Sequence, residues 1–145
     1  VRRAMVALVA TLVLAACGGD DADELVVEQP RIGATPVGSD AALYFGVTSP
    51  LDDRLVGVDT DVAGVTSLHV TGSADGTMIE VDEFELPADT QVLFEPFGDH
   101  VMLEQVVREL EPGDEVEVTL RFAEHAPVQV SADVSQLYEL AWEDS

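Results

Sequence analysis

The sequence predicts a single all-β domain, a β-sandwich or Greek-key barrel, on three observations. Apolar and polar residues alternate with period two through much of the chain. The plainest case is Val116, Val118, Leu120 and Phe122, interleaved with Glu117, Thr119 and Arg121. Such alternation buries one face of a strand and leaves the other in water. Turn signals rich in Gly, Pro and Asp recur at short intervals, and no long stretch carries a helical period. Many short strands at this spacing argue for a sandwich or barrel.

In chain order, the expected strands are residues 25–29, 43–48, 55–58, 66–71, 78–81, 91–95 and 100–103. Turn residues separate them: Thr48-Ser49-Pro50, Ala63-Gly64, Ala74-Asp75-Gly76, Leu86-Pro87-Ala88-Asp89, Pro96-Phe97-Gly98-Asp99 and Glu111-Pro112-Gly113-Asp114. Residues 104–110 read as a short helical turn or a loop. The strand 116–122 is followed by a break at Ala126-Pro127 and by Val128 and Val130, so the two segments predict a hairpin. The folded domain is expected over residues 25–135, with 136–145 as a C-terminal extension.

The first residues predict export. Arg2 and Arg3 precede a short apolar run over residues 5–16, too short to span a bilayer comfortably. The run ends in Leu14-Ala15-Ala16-Cys17-Gly18, which resembles a bacterial lipoprotein signal. On that reading residues 1–16 are a signal peptide and Cys17 carries the lipid. Residues 17–24 would then be a hydrated tether. The expected place is outside the cytoplasm, anchored through lipid to the outer face of the cell membrane.

Of 145 residues, 29 are acidic and 6 are Arg, with no Lys, for a net charge of −23. A surface of that sign repels nucleic acid and favours cations and basic partners. Cys17 is the sole cysteine, so neither an internal disulfide nor a thiolate metal site is available to the body. A blue-copper centre, which needs a thiolate beside two His, is therefore excluded. Asp59-Thr60-Asp61 is a fragment of a calcium loop and reads as solvated turn. No HExxH, GxSxG or phosphate loop is present, and no nucleophile–base pair is visible; the expectation is a protein that is not an enzyme.

The donors that remain are sparse. Beyond Met5, the methionines are Met78 and Met102, and the three histidines are His69, His100 and His125. In His100-Val101-Met102 an imidazole and a thioether stand two residues apart, and on a strand they project from one face. His69 lies in the strand 66–71, and Met78 follows the Ala74-Asp75-Gly76 turn, so a hairpin would bring these two together. Two imidazoles and two thioethers form a neutral set that favours Cu(I) over Mg²⁺ or Ca²⁺. The bland alternative is that both Met fill the core and His69 is a satisfied strand residue. His125, in Glu124-His125-Ala126-Pro127, is expected to be an exposed turn residue.

The order of landmarks resembles the periplasmic copper chaperone family PCuAC. The resemblance runs through Ala41-Ala42-Leu43-Tyr44-Phe45, Asp53-Arg54-Leu55-Val56-Gly57, Leu68-His69 and Gly76-Thr77-Met78. It continues through Glu95-Pro96-Phe97-Gly98-Asp99-His100-Val101-Met102-Leu103 and Leu110-Glu111-Pro112-Gly113-Asp114. It implies a cupredoxin-like fold with copper(I) held by His69, Met78, His100 and Met102. It further implies delivery to an acceptor such as the Cu(A) site of cytochrome c oxidase subunit II, with a Sco-type thiol copper protein as a further partner. The chain departs from the family pattern at Glu80, where a second Met is common, and in a short His69–Met78 interval. Those departures support a competing expectation: an envelope scaffold or adhesion lipoprotein with the fold but no working metal site.

Overall fold

The computed structural model describes residues 24–136 apart from Ser73. The expected signal peptide, the tether as far as residue 23, Cys17 and all of the C-terminal extension beyond Gln136 lie outside the described residues.

Ten strands and no helix make up the described chain. They are β1 (Val26–Gly33), β2 (Ala41–Thr48), β3 (Asp53–Thr60), β4 (Val65–Thr71), β5 (Met78–Val81), β6 (Phe84–Leu86), β7 (Gln91–Phe94), β8 (His100–Glu104), β9 (Glu115–Phe122) and β10 (Val128–Ser135). The all-β expectation is borne out. β6 was not foreseen, because three residues are too few for alternation to register. Residues 105–109 form a loop rather than a helical turn, and Leu110 bridges to Thr35.

The strands form one strongly curved sheet in the order β5-β4-β8-β2-β1-β10-β9-β3-β6. β1 and β10 run parallel, and the other pairings are antiparallel. β7 pairs with β2 off this path, along residues 45–48, while β8 takes residues 41–43. The sheet nearly closes where Thr66 of β4 donates its hydroxyl to the Val58 carbonyl of β3 at 2.6 Å.

Alternation sorts the faces as expected. In β9, Val116, Val118, Leu120 and Phe122 are buried, and β10 pairs with β9 from Val128↔Leu120 to Asp133↔Glu115. The interior is closed by Phe45 stacked on Phe94 at 4.6 Å and by Phe84 edge-on to Phe94 at 4.8 Å. A bulge in β1 sets one register. Between the pairs Glu28↔Gly46 and Arg31↔Tyr44, two residues of β1 oppose one of β2, with Gln29 at φ 46°. The extra residue reverses the parity of the strand. Ile32 thereby enters the core fully buried, and Arg31 joins the face of Tyr44. Pro30, which has no N–H to give, sits within this interruption.

Candidate metal centre

One face of the β5-β4-β8 part of the sheet gathers the sparse donors. β4 and β8 pair His69↔His100 and Ser67↔Met102. β4 and β5 pair His69↔Glu80 and Thr71↔Met78. Directly opposed residues of an antiparallel pair share a face, as do residues two apart on one strand. His69, His100, Met78 and Met102 therefore project from the same side. The opposite side carries Leu68 and Val101, which are buried in the core and lock this parity.

The two imidazoles lie face to face, with ring centroids 5.4 Å apart and planes 20° from parallel. Tyr44 of β2 meets His100 edge-on at 6.5 Å. Burial raises the Tyr44 hydroxyl above its ordinary pKa, and Arg31 beside it acts in the opposite direction.

Each ring has one nitrogen engaged. His100 is 6% exposed, and its Nδ1 lies 3.0 Å from the Gly98 carbonyl. A carbonyl only accepts, so Nδ1 carries the proton and Nε2 keeps its lone pair. His69 holds Nε2 at 2.9 Å from the Ser67 hydroxyl, which donates at 2.9 Å to Glu104. Its Nδ1 is shielded from solvent and has no hydrogen-bond partner. A buried polar atom without a hydrogen-bond partner is uncommon in folded proteins, and an imidazole nitrogen so placed is available as a donor to a cation. Both rings thus offer an unused nitrogen, which fits the donor set to a soft cation.

The methionines differ. Met102 is half-buried, across from Ser67 and two residues from His100, whereas Met78 opens β5, is 54% exposed and stands across from Thr71, two residues along β4 from His69. The residue directly across from His69 is Glu80. Met78 is therefore on the same face as the rings but at the turn end, and its unbranched thioether side chain is the adaptable member of the set. The turn itself is held. Thr71 donates its hydroxyl to Gly98 at 2.8 Å and its N–H to Asp99 at 3.1 Å, tying the β4–β5 turn to the segment before His100.

Among the described residues, no group of three or more His, Cys, Asp or Glu is gathered to hold a metal. A surface cleft of about 380 Å³, lined by residues such as Asp53, Arg54 and Leu86, contains no His or Met. His125 lies on the β9–β10 turn and is half-buried rather than exposed, because its ring packs edge-on against Phe122 at 6.2 Å. Asp59 and Thr60 close β3 instead of forming the expected solvated turn, because they pair with Thr119 and Val118 of β9, and the Asp59 carboxylate is paired with Arg121 at 2.8 Å. The sequence reading missed Ser67 and Glu104. Period-two spacing carried the signal, in Ser67-x-His69 and His100-x-Met102-x-Glu104.

The family described as "Putative lipoprotein LpqE-like" matches residues 25–134. "Putative lipoprotein Lxx21020" of Leifsonia xyli subsp. xyli (strain CTCB07) is 31% identical over 122 residues, which are 80% of this chain and 72% of that protein. A structure described as the copper-bound PCuAC domain from PmoF2 superposes with a TM-score of 0.67 at 28% identity, over 77% of this chain and 92% of that domain. The solution structure of CuI-DR1885 from Deinococcus radiodurans gives 0.65 at 28%, over 77% and 78%.

Proposed function

This chain belongs to the LpqE-like lipoprotein family, and from that premise we propose that it is an extracytoplasmic copper(I) carrier whose site is His69, His100, Met102 and Met78. The observation that carries the reading is the stacked pair His69 and His100, each with an unused nitrogen, on the face of the sheet that also carries Met102. The likeness to copper-bound PCuAC domains supports the same cargo.

The chemistry suits carriage rather than catalysis. Imidazole and thioether are neutral, so the bound ion keeps its single positive charge, which the acidic surface favours. Thioethers are soft donors selective for copper(I), and they cannot be lost to disulfide formation. An exposed Met78 gives an incoming acceptor ligand a donor to displace. The acceptor we propose is the Cu(A) site of cytochrome c oxidase subunit II, with a Sco-type thiol copper protein acting alongside. Acylation of Cys17 would hold the carrier at the outer face of the membrane.

Titration of the purified chain with copper(I) against a competing chelator tests the site. One equivalent is expected to bind. His100→Ala and Met102→Ala are expected to weaken binding by more than the roughly 10- to 100-fold typical of losing an outer-shell partner. Met78→Leu is expected to cost less than either. Undiminished binding by the His100 and Met102 variants would remove the assignment.

A second reading draws on Glu80 standing across from His69 while Met78 is exposed. It is an envelope scaffold that keeps the fold without the metal. A wild type that takes up no copper(I) would favour it.

A further inference from the structure

The hydrogen bonds around His69 contain a direction. Ser67 is 7% exposed and its hydroxyl has one proton. It stands 2.9 Å from a Glu104 carboxylate oxygen and 2.9 Å from His69 Nε2. The carboxylate can only accept, so the Ser67 proton goes to Glu104. The Ser67 oxygen must then accept from His69, which places the ring proton on Nε2. The unpartnered Nδ1 is left as a lone pair.

From this chain we infer that Glu104, acting through Ser67, is the positioning residue that fixes the His69 tautomer and makes Nδ1 its metal donor. The two histidines then offer different atoms, Nδ1 from His69 and Nε2 from His100. The register explains why. Each ring is anchored through one nitrogen from a different end of β8: His100 by the turn carbonyl of Gly98 that precedes the strand, His69 by a side-chain relay from Glu104 at its far end. A metal-bound imidazole held by a carboxylate through its second nitrogen is oriented and made a better donor. The consequence for copper rests on the carrier reading above; the tautomer does not.

Removing the carboxylate reverses the relay. In Glu104→Leu the Ser67 proton has no acceptor except His69 Nε2, which moves the ring proton to Nδ1 and blocks the donor. Long-range ¹H–¹⁵N spectra of the metal-free chain read the tautomer directly, at a pH about two units above the ordinary imidazole value. The expected result is Nε2–H at His69 in the wild type and Nδ1–H in Glu104→Leu, with copper(I) binding weakened about 10- to 100-fold. His100 is expected to stay Nδ1–H in both, which reports that the fold is intact. Ser67→Ala removes the link while keeping Glu104. It is expected to give a mixture of His69 tautomers and a similar loss of affinity. Nδ1–H at His69 in the wild type, or an unchanged tautomer in Glu104→Leu, overturns the inference. A wild type that binds no copper(I) overturns the carrier reading alone, because the tautomer arm is measured without metal.

Discussion

At Phe97 the backbone turns through φ 66°, a conformation that costs a side chain with a Cβ about 1–2 kcal/mol. The turn is closed by the Gly98 N–H on the Glu95 carbonyl at 2.9 Å, with Pro96 and Phe97 at its centre. That is the type II geometry, which calls for Gly or Asn where Phe97 stands. The ring is 100% exposed, so nothing in its packing compensates. Phe97→Asn is expected to stabilise the chain by up to about 1 kcal/mol, read as a raised urea midpoint at unchanged slope. A lower midpoint would show that the ring contributes to the fold after all. The strained turn sets the Gly98 carbonyl that holds His100. The same substitution is therefore expected to leave copper(I) affinity unchanged if Asn keeps the turn.

Strands are joined here by a few buried polar groups as well as by ladders. Asp53 opens β3 at 5% exposure, and its carboxylate accepts the N–H groups of Arg54 at 2.7 Å, Glu124 at 2.8 Å and His125 at 3.0 Å. It fastens β3 to the β9–β10 turn. Burial acts to raise its pKa, but the three donors outweigh it and hold the group below its ordinary value. A depressed folded-state pKa adds stability that is present above the unfolded value, about 3.9 for Asp, and is lost as pH falls through the folded value. Asp53→Asn is expected to cost about 1.5–3 kcal/mol at neutral pH, with the gap to wild type shrinking as pH falls below about 4. Urea unfolding across that range checks it, and a gap independent of pH would refute the role. Much at this scale was legible beforehand, since strands 43–48, 66–71 and 78–81 lie where alternation put them. Residues 84–86 and the bulge at Gln29 were not, because neither leaves a periodic trace.

For the whole molecule the dominant fact is charge. With a net charge of −23, the folded surface repels itself more than the expanded chain does. Added salt screens that repulsion, the Debye length falling from about 30 Å at 0.01 M to about 10 Å at 0.1 M. Tm is expected to rise over that range, and a flat or falling Tm would mean that the charges are already dispersed enough not to matter. The same field draws cations toward the histidine face, whose acidic neighbours include Glu80 and Asp99.

The sequence alone determined the all-β class, the inventory of soft donors and the fact that His100 and Met102 share a face. Each follows from composition or from the period of two along one strand, which is local. Only the tertiary structure decided that His69 stands opposite His100, that Glu80 rather than Met78 lies across from His69, and that Glu104 reaches His69 through Ser67. Those depend on cross-strand register, which is set when Leu68 and Val101 are buried together in the core. No alternation within a single strand encodes which partner its residues will meet.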